Sequence, residues 1–193
     1  MYGASLERAG QLRMTTLQNE FEEIAAVINR ALELDREADH ARDTRDKDSS
    51  ARIYEELLTV LAPRAERLVN TTQNNKAFAH FAYGVALRVL HLHEDAIAQL
   101  QQSLAIAPDE IDTLLEITVC LGKGGRLREA AQFARRAVRV APNSAEAWGN
   151  LAMTLIQIKE KDSAFDAISK AMALDPANQK NRYILDNFHR YFS

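Results

Sequence analysis

The sequence predicts an all-α protein, a stack of helical hairpins behind a long N-terminal helix. Three observations carry that expectation. Only seven glycines and four prolines interrupt 193 residues, so turns are scarce and helices long. Three of the prolines, Pro108, Pro142 and Pro176, are spaced by 34 residues. The same step recurs in Ala96, Ala130 and Ala164, in Tyr83, Ile117 and Leu151, and in Leu87, Leu121 and Leu155. A period held at so many positions is an internal repeat. Near the N-terminus, Met14, Leu17, Phe21, Ile24, Ile28 and Ala31 alternate steps of three and four, the stripe of an amphipathic helix.

Residues 1–76 are expected to form an N-terminal helical segment. Its seam of Leu17, Phe21, Ile24 and Ile28 needs cover, and a symmetric homodimer is one way to supply it. Residues 35–48 hold ten charged side chains among fourteen, which reads as a solvated helix end or a charged linker. Another helix follows Ser49 or Ser50, with Ile53, Leu57 and Leu61 on one stripe; Pro63 should kink or divide it. Residues 77–178 then fall into three 34-residue units, 77–110, 111–144 and 145–178. The stretch VRVAPNSAEAW, Val138 to Trp148, is the seam between the second and third. Pro142 helps end one helix, Ser144 is placed to cap the next, and Trp148 is expected in the core. Residues 179–193 put Ile184, Leu185, Phe188 and Phe192 on one face, as suits a helix capping the apolar end of a stack.

The unit from Ala145 to Asn178 resembles the tetratricopeptide repeat. Trp148 takes position 4, Leu151 and Ala152 positions 7 and 8, Leu155 position 11, Ala164 position 20, Ile168 position 24, Ala171 position 27 and Pro176 position 32. From Ala77 the first unit matches with Tyr83, Gly84, Leu87, Ala96, Leu100, Ser103 and Pro108. The middle unit departs, with Leu114 at position 4 and Thr118 at position 8. The resemblance implies a tetratricopeptide-type helix-turn-helix solenoid, an α-α superhelix, with an N-terminal extension and a C-terminal capping helix. Small residues at positions 8 and 20 let paired helices cross closely, and large ones at 4, 7, 11 and 24 fill the space around the crossing. Counting back 34 residues puts Ala62 at position 20, the trace of a decayed upstream repeat or a coincidence.

A net charge of −3 offers no general attraction to nucleic acid or anionic membrane. No run of apolar residues is long enough to span a bilayer, no signal-type stretch opens the chain, and a cytoplasmic location is expected. A lone cysteine, Cys120, excludes an internal disulfide and falls where a packed thiol is expected. His91 and His93 lack the further ligands of a zinc set. The glycines around Lys123 lack phosphate-loop spacing and fall at an inter-helix turn. With no catalytic constellation, metal set or cofactor motif, the chain is not expected to be an enzyme. Residues 111–144 carry six basic and three acidic side chains, and Arg128, Arg135 and Arg139 share a face, either solvated or open to an acidic partner.

In tetratricopeptide arrays the first helix of each pair lines a concave groove through positions 2, 5, 9 and 12. Here that face holds Phe78, Phe81, Val85 and Arg88, then Asp112, Leu115, Val119 and Gly122, then Glu146, Gly149, Met153 and Ile156. Chaperone-binding members clamp a C-terminal carboxylate with lysine and asparagine on these helices. Asn150 alone is comparable and the lysines are absent, which disfavours that subclass. An apolar groove suits an amphipathic helix or an extended peptide with large side chains. The occupant is an outside protein or the chain's own N-terminal helix. The expected function is non-catalytic binding, as adaptor, scaffold or assembly factor. Alternatives are a dedicated secretion chaperone of the three-repeat type and a regulatory subunit of an enzyme complex.

Overall fold

The computed structural model describes residues 2–192, and the side chains of residues 14–192. Among these residues the chain is helical between short turns, with no strand. It divides into two compact units, residues 1–106 and 107–193. The first repeat therefore groups with the N-terminal segment.

In the first unit, α1 spans Tyr2–Thr44. The charged stretch at 35–48 is helical as far as Thr44 instead of acting as a linker. Ala38 and Ala41 carry the apolar stripe inward there, so the charges can occupy the outer side without breaking the helix. Arg45 turns the chain with φ of 58°, and Asp46 caps the next helix by accepting the Ser49 N–H. From there α2 (Lys47–Glu56) runs through one π turn (Leu57–Leu61) into α3 (Ala62–Thr71). Pro63 thus neither divides the helix nor ends it. A proline ring collides with the carbonyl four residues back, and the wider π turn accommodates that lost bond. Because residues 47–71 contain no turn, the upstream frame through Ala62 is not a helix-turn-helix repeat.

Next come α4 (Lys76–Val89) and α5 (His93–Ile106), the two helices of the first repeat. Ile24, Val27, Ala31 and Leu34 of α1 meet Leu57, Ala65, Ala79, Ala82 and Val85 in a fully buried core. The closeness of the α4–α5 pair depends on Gly84. A Cβ there would stand 2.7 Å from Leu100 Cγ.

The second unit pairs α6 (Ile111–Lys123) with α7 (Leu127–Val140) and α8 (Ala145–Gln157) with α9 (Lys161–Leu174). It ends in α10 (Gln179–Asp186) and a 3-10 turn, Phe188–Tyr191. Position 15 of every repeat is left-handed, with φ of 61° at His91, 78° at Gly125 and 65° at Lys159. Glycine adopts that conformation freely; the other two residues do not. At the seam, Ser144 accepts the Ala147 N–H as expected. Trp148, expected in the core, is only half-buried, because its indole N–H donates to the Pro142 carbonyl at 2.8 Å across the turn. The cap buries Ile184 and Phe188, with Phe188 packed on Phe165 at 5.4 Å and on Phe192 at 5.1 Å.

Candidate functional site

The expected groove residues have two fates. On α4, Phe78 stacks on Phe21 of α1 with ring centroids 5.2 Å apart, and on Phe81 at 6.3 Å. Val85 is completely buried. Arg88, 5% exposed, donates to Asp35 of α1 at 2.9 Å. Since Phe21 faces Phe78 and Asp35 faces Arg88, α1 runs parallel to α4. The Glu20 carboxylate accepts the Gln73 and Asn74 N–H groups, and the Asn75 amide donates to the Leu17 carbonyl. Farther along, Arg30 donates to Glu56 at 2.7 and 2.8 Å and also reaches Glu33 and Glu37. Those bonds push the guanidinium pKa up; the bond from Arg30 holds the Glu56 carboxyl below its usual range. Of the two occupants expected for the groove, an outside protein or the chain's own N-terminal helix, the α4 part has the helix.

The same packing consumes half of the expected dimer seam. Ile24 is fully buried and Ile28 lies against the same core, whereas Leu17 and Phe21 remain 36% and 49% exposed.

In the second unit the face stays open. Leu115 and Ile156 are buried in its floor, while Val119, Asn150 and Met153 are half-buried. Val119, Asn150 and Met153 border a cleft of about 190 Å³ lined also by Gly122, Lys123, Gln157 and Lys180, and no carboxylate lines it. Asn181 of α10 lies against Gly149, so close that a Cβ at Gly149 would collide with its amide, and this closes one end of the face. The two lysines correct the reading that none accompanies Asn150. Lys180 was missed because it lies past the third unit. Continuing the 34-residue frame beyond Asn178 puts it at position 2, on the inner face. Lys123 sits one residue beyond the inner-face position of Gly122.

The remaining candidates have structural surroundings. Cys120 is fully buried. The His91 and His93 rings meet edge to face at 5.8 Å. On α7, Arg135 pairs with Glu160 at 2.7 Å and Arg136 reaches the Pro108 carbonyl and Asp109, while Arg126, just before the helix, pairs with Glu129 at 2.8 Å. Among the described residues no helix is long and apolar enough to cross a membrane.

Repeat frame, paired helices and inner face together define an all-α solenoid fold of the tetratricopeptide type. Residues 145–178 match the family model described as tetratricopeptide repeat. Among curated proteins, the tetratricopeptide repeat-containing protein trd-1 of Caenorhabditis elegans is 26% identical over 125 residues, 65% of this chain and 16% of that protein. The chain thus corresponds to a small part of that relative. Of solved structures, YrrB, described as a TPR protein with an unusual peptide-binding site, superposes with a TM-score of 0.61 at 19% identity, covering 90% of this chain and 87% of that one. The first TPR of Spaghetti (RPAP3), bound to the HSP90 peptide SRMEEVD, superposes with a TM-score of 0.59 at 12% identity, covering 62% and 95%. Both likenesses are of fold.

Proposed function

We propose that the protein is a non-catalytic binding module, an adaptor, scaffold or assembly factor. It holds a protein partner on the inner face of α6 and α8, over Leu115, Val119, Asn150, Met153 and Ile156, with Lys123 and Lys180 at the rim. The observation that carries this reading is the contrast between equivalent faces. On α4 the face is covered by α1, and on α6 and α8 it is left open around a cleft whose lining has no carboxylate, with Asp112 and Glu146 farther along the same face. The RPAP3 domain holding a peptide lends support by analogy of fold.

Val119→Glu with Met153→Glu tests it, because both side chains are half-buried and line the cleft. A partner captured by the wild-type chain and then purified should bind it directly and lose binding to the variant, with helicity unchanged by circular dichroism. Equal binding to both chains refutes the assignment of this face. A secreted client would make the protein a secretion chaperone, and a catalytic polypeptide would make it a regulatory subunit.

A further inference from the structure

We infer that the element seated on the α6–α8 face is an acidic amphipathic α-helix, lying there as α1 lies on α4. This rests on the reading of that face as a binding surface and specifies its ligand.

The first argument is backbone hydrogen bonding. An extended peptide brings an N–H and a C=O per residue that need partners once covered. The open face supplies few. The Thr118 hydroxyl donates to the Leu114 carbonyl at 2.7 Å and the Thr154 hydroxyl to the Asn150 carbonyl at 2.8 Å, so both protons are used within their own helices. Asn150 and Gln157 are the side-chain amides in the cleft lining. A helix satisfies its own backbone and asks only for apolar contact, which Val119 and Met153 provide in the cleft.

Internal precedent is the second argument. Positions 5 and 9 are Phe81 and Val85 in the first repeat, Leu115 and Val119 in the second. The first pair is covered by a helix whose Ile24, Val27, Ala31 and Leu34 are completely buried. Charge is the third. Lys123 and Lys180 rim the cleft with no carboxylate among its lining residues. An occupant with acidic residues beside its apolar stripe meets both needs. The sequence from Leu17 to Ala41 of α1 has that character, with seven acidic and two basic residues, and it sets Asp35 on Arg88.

A labelled synthetic peptide of residues 17–41 is therefore the probe, added to the full chain, whose own α1 already covers α4. Fluorescence anisotropy should show saturable binding and far-UV circular dichroism a gain of helix. Lys123→Glu with Lys180→Glu should weaken binding about tenfold or more, as loss and reversal of two complementary charges does. The peptide SRMEEVD serves as the short acidic comparison. Binding of SRMEEVD that depends on the two lysines, with no binding of the helical peptide, overturns the helix inference and leaves the face as a binding surface. Binding of neither overturns the helix inference and leaves the face to the test with the captured partner. Helical-peptide binding that ignores the lysines, or brings no gain of helix, also overturns the inference.

Discussion

Replacing Gly84 by alanine measures how closely α4 and α5 cross. In a helix interior that change alone favours folding by about 1 kcal/mol. Here the new Cβ would lie 2.7 Å from Leu100 Cγ, 2.8 Å from Leu100 Cδ2 and 3.3 Å from the Ala96 carbonyl oxygen. Comfortable carbon–carbon contacts lie at about 3.5–4.0 Å, so Leu100 or the whole of α5 must retreat by roughly 1 Å. Leu100 is completely buried and has no open space to enter. Overpacking of this kind costs about 1–3 kcal/mol. After the propensity gain, a net loss of about 1 kcal/mol remains, or about 2–4 °C in Tm for a chain of this size. Gly122→Ala is the internal control, because its nearest neighbour, Gln157 Oε1, is 3.7 Å away. It should leave Tm unchanged or raise it. Thermal and urea unfolding followed by circular dichroism decides. A Gly84→Ala protein as stable as wild type, or a Gly122→Ala protein clearly less stable, refutes the packing argument.

Other perturbations reach the turns, the α1 contact and the surface. His91→Gly should stabilise and Gly125→Ala destabilise, each by about 1 kcal/mol, because both act on a left-handed residue; thermal melts check the opposite signs. Asp35→Ala should cost about 1–3 kcal/mol in urea titrations. It removes one partner of the buried Arg88 guanidinium, and the 30% exposure of the Asp35 side chain keeps the loss below that of a fully enclosed pair. The Glu56 carboxyl titrates below its unfolded value, so its contribution is present above the ordinary glutamate pKa and fades as pH falls through the depressed one. Glu56→Gln should flatten that part of the acid-stability curve. Of the apolar seam of α1, Met14, Leu17 and Phe21 remain exposed for self-association among the described side chains. A dimer by light scattering at micromolar concentration should become a monomer with Leu17→Asp plus Phe21→Asp, and a monomeric wild-type chain removes the idea.

Repetition made the three helical pairs legible. A 34-residue step places Gly84 against Ala96 and Leu100, Ser144 at a cap and Pro142 at a helix end, and each restates the same geometry. The N-terminal segment has no second copy to check against. Ten charges in fourteen residues suited a solvated helix end or a linker alike because composition registers polarity, while two alanines at the right spacing suffice to continue a buried stripe as far as Thr44. Pro63 was read by its usual effect, and a π turn is a local compensation that no residue type announces. Trp148 was assigned by size to the core, although its indole N–H needs an acceptor and found one at Pro142. Lys180 lay outside the repeated units and so escaped a frame that ends at Asn178. The occupant of the α4 face was open on sequence, since an apolar stripe and an apolar groove match without saying whether they match each other.

The position of α1 on α4 has a consequence for competition. α1 is tethered to α4 through residues 45–75, most of them helical, and a tethered ligand acts at an effective concentration of about millimolar. A free helix of equal intrinsic affinity would displace half of α1 only when it, too, is near that concentration. One supplied at about 10 μM would need roughly a hundredfold tighter intrinsic binding, about 2.8 kcal/mol at 1.4 kcal/mol per decade. Covalent attachment alone therefore shuts the α4 face to dilute ligands, with no lid or gate required.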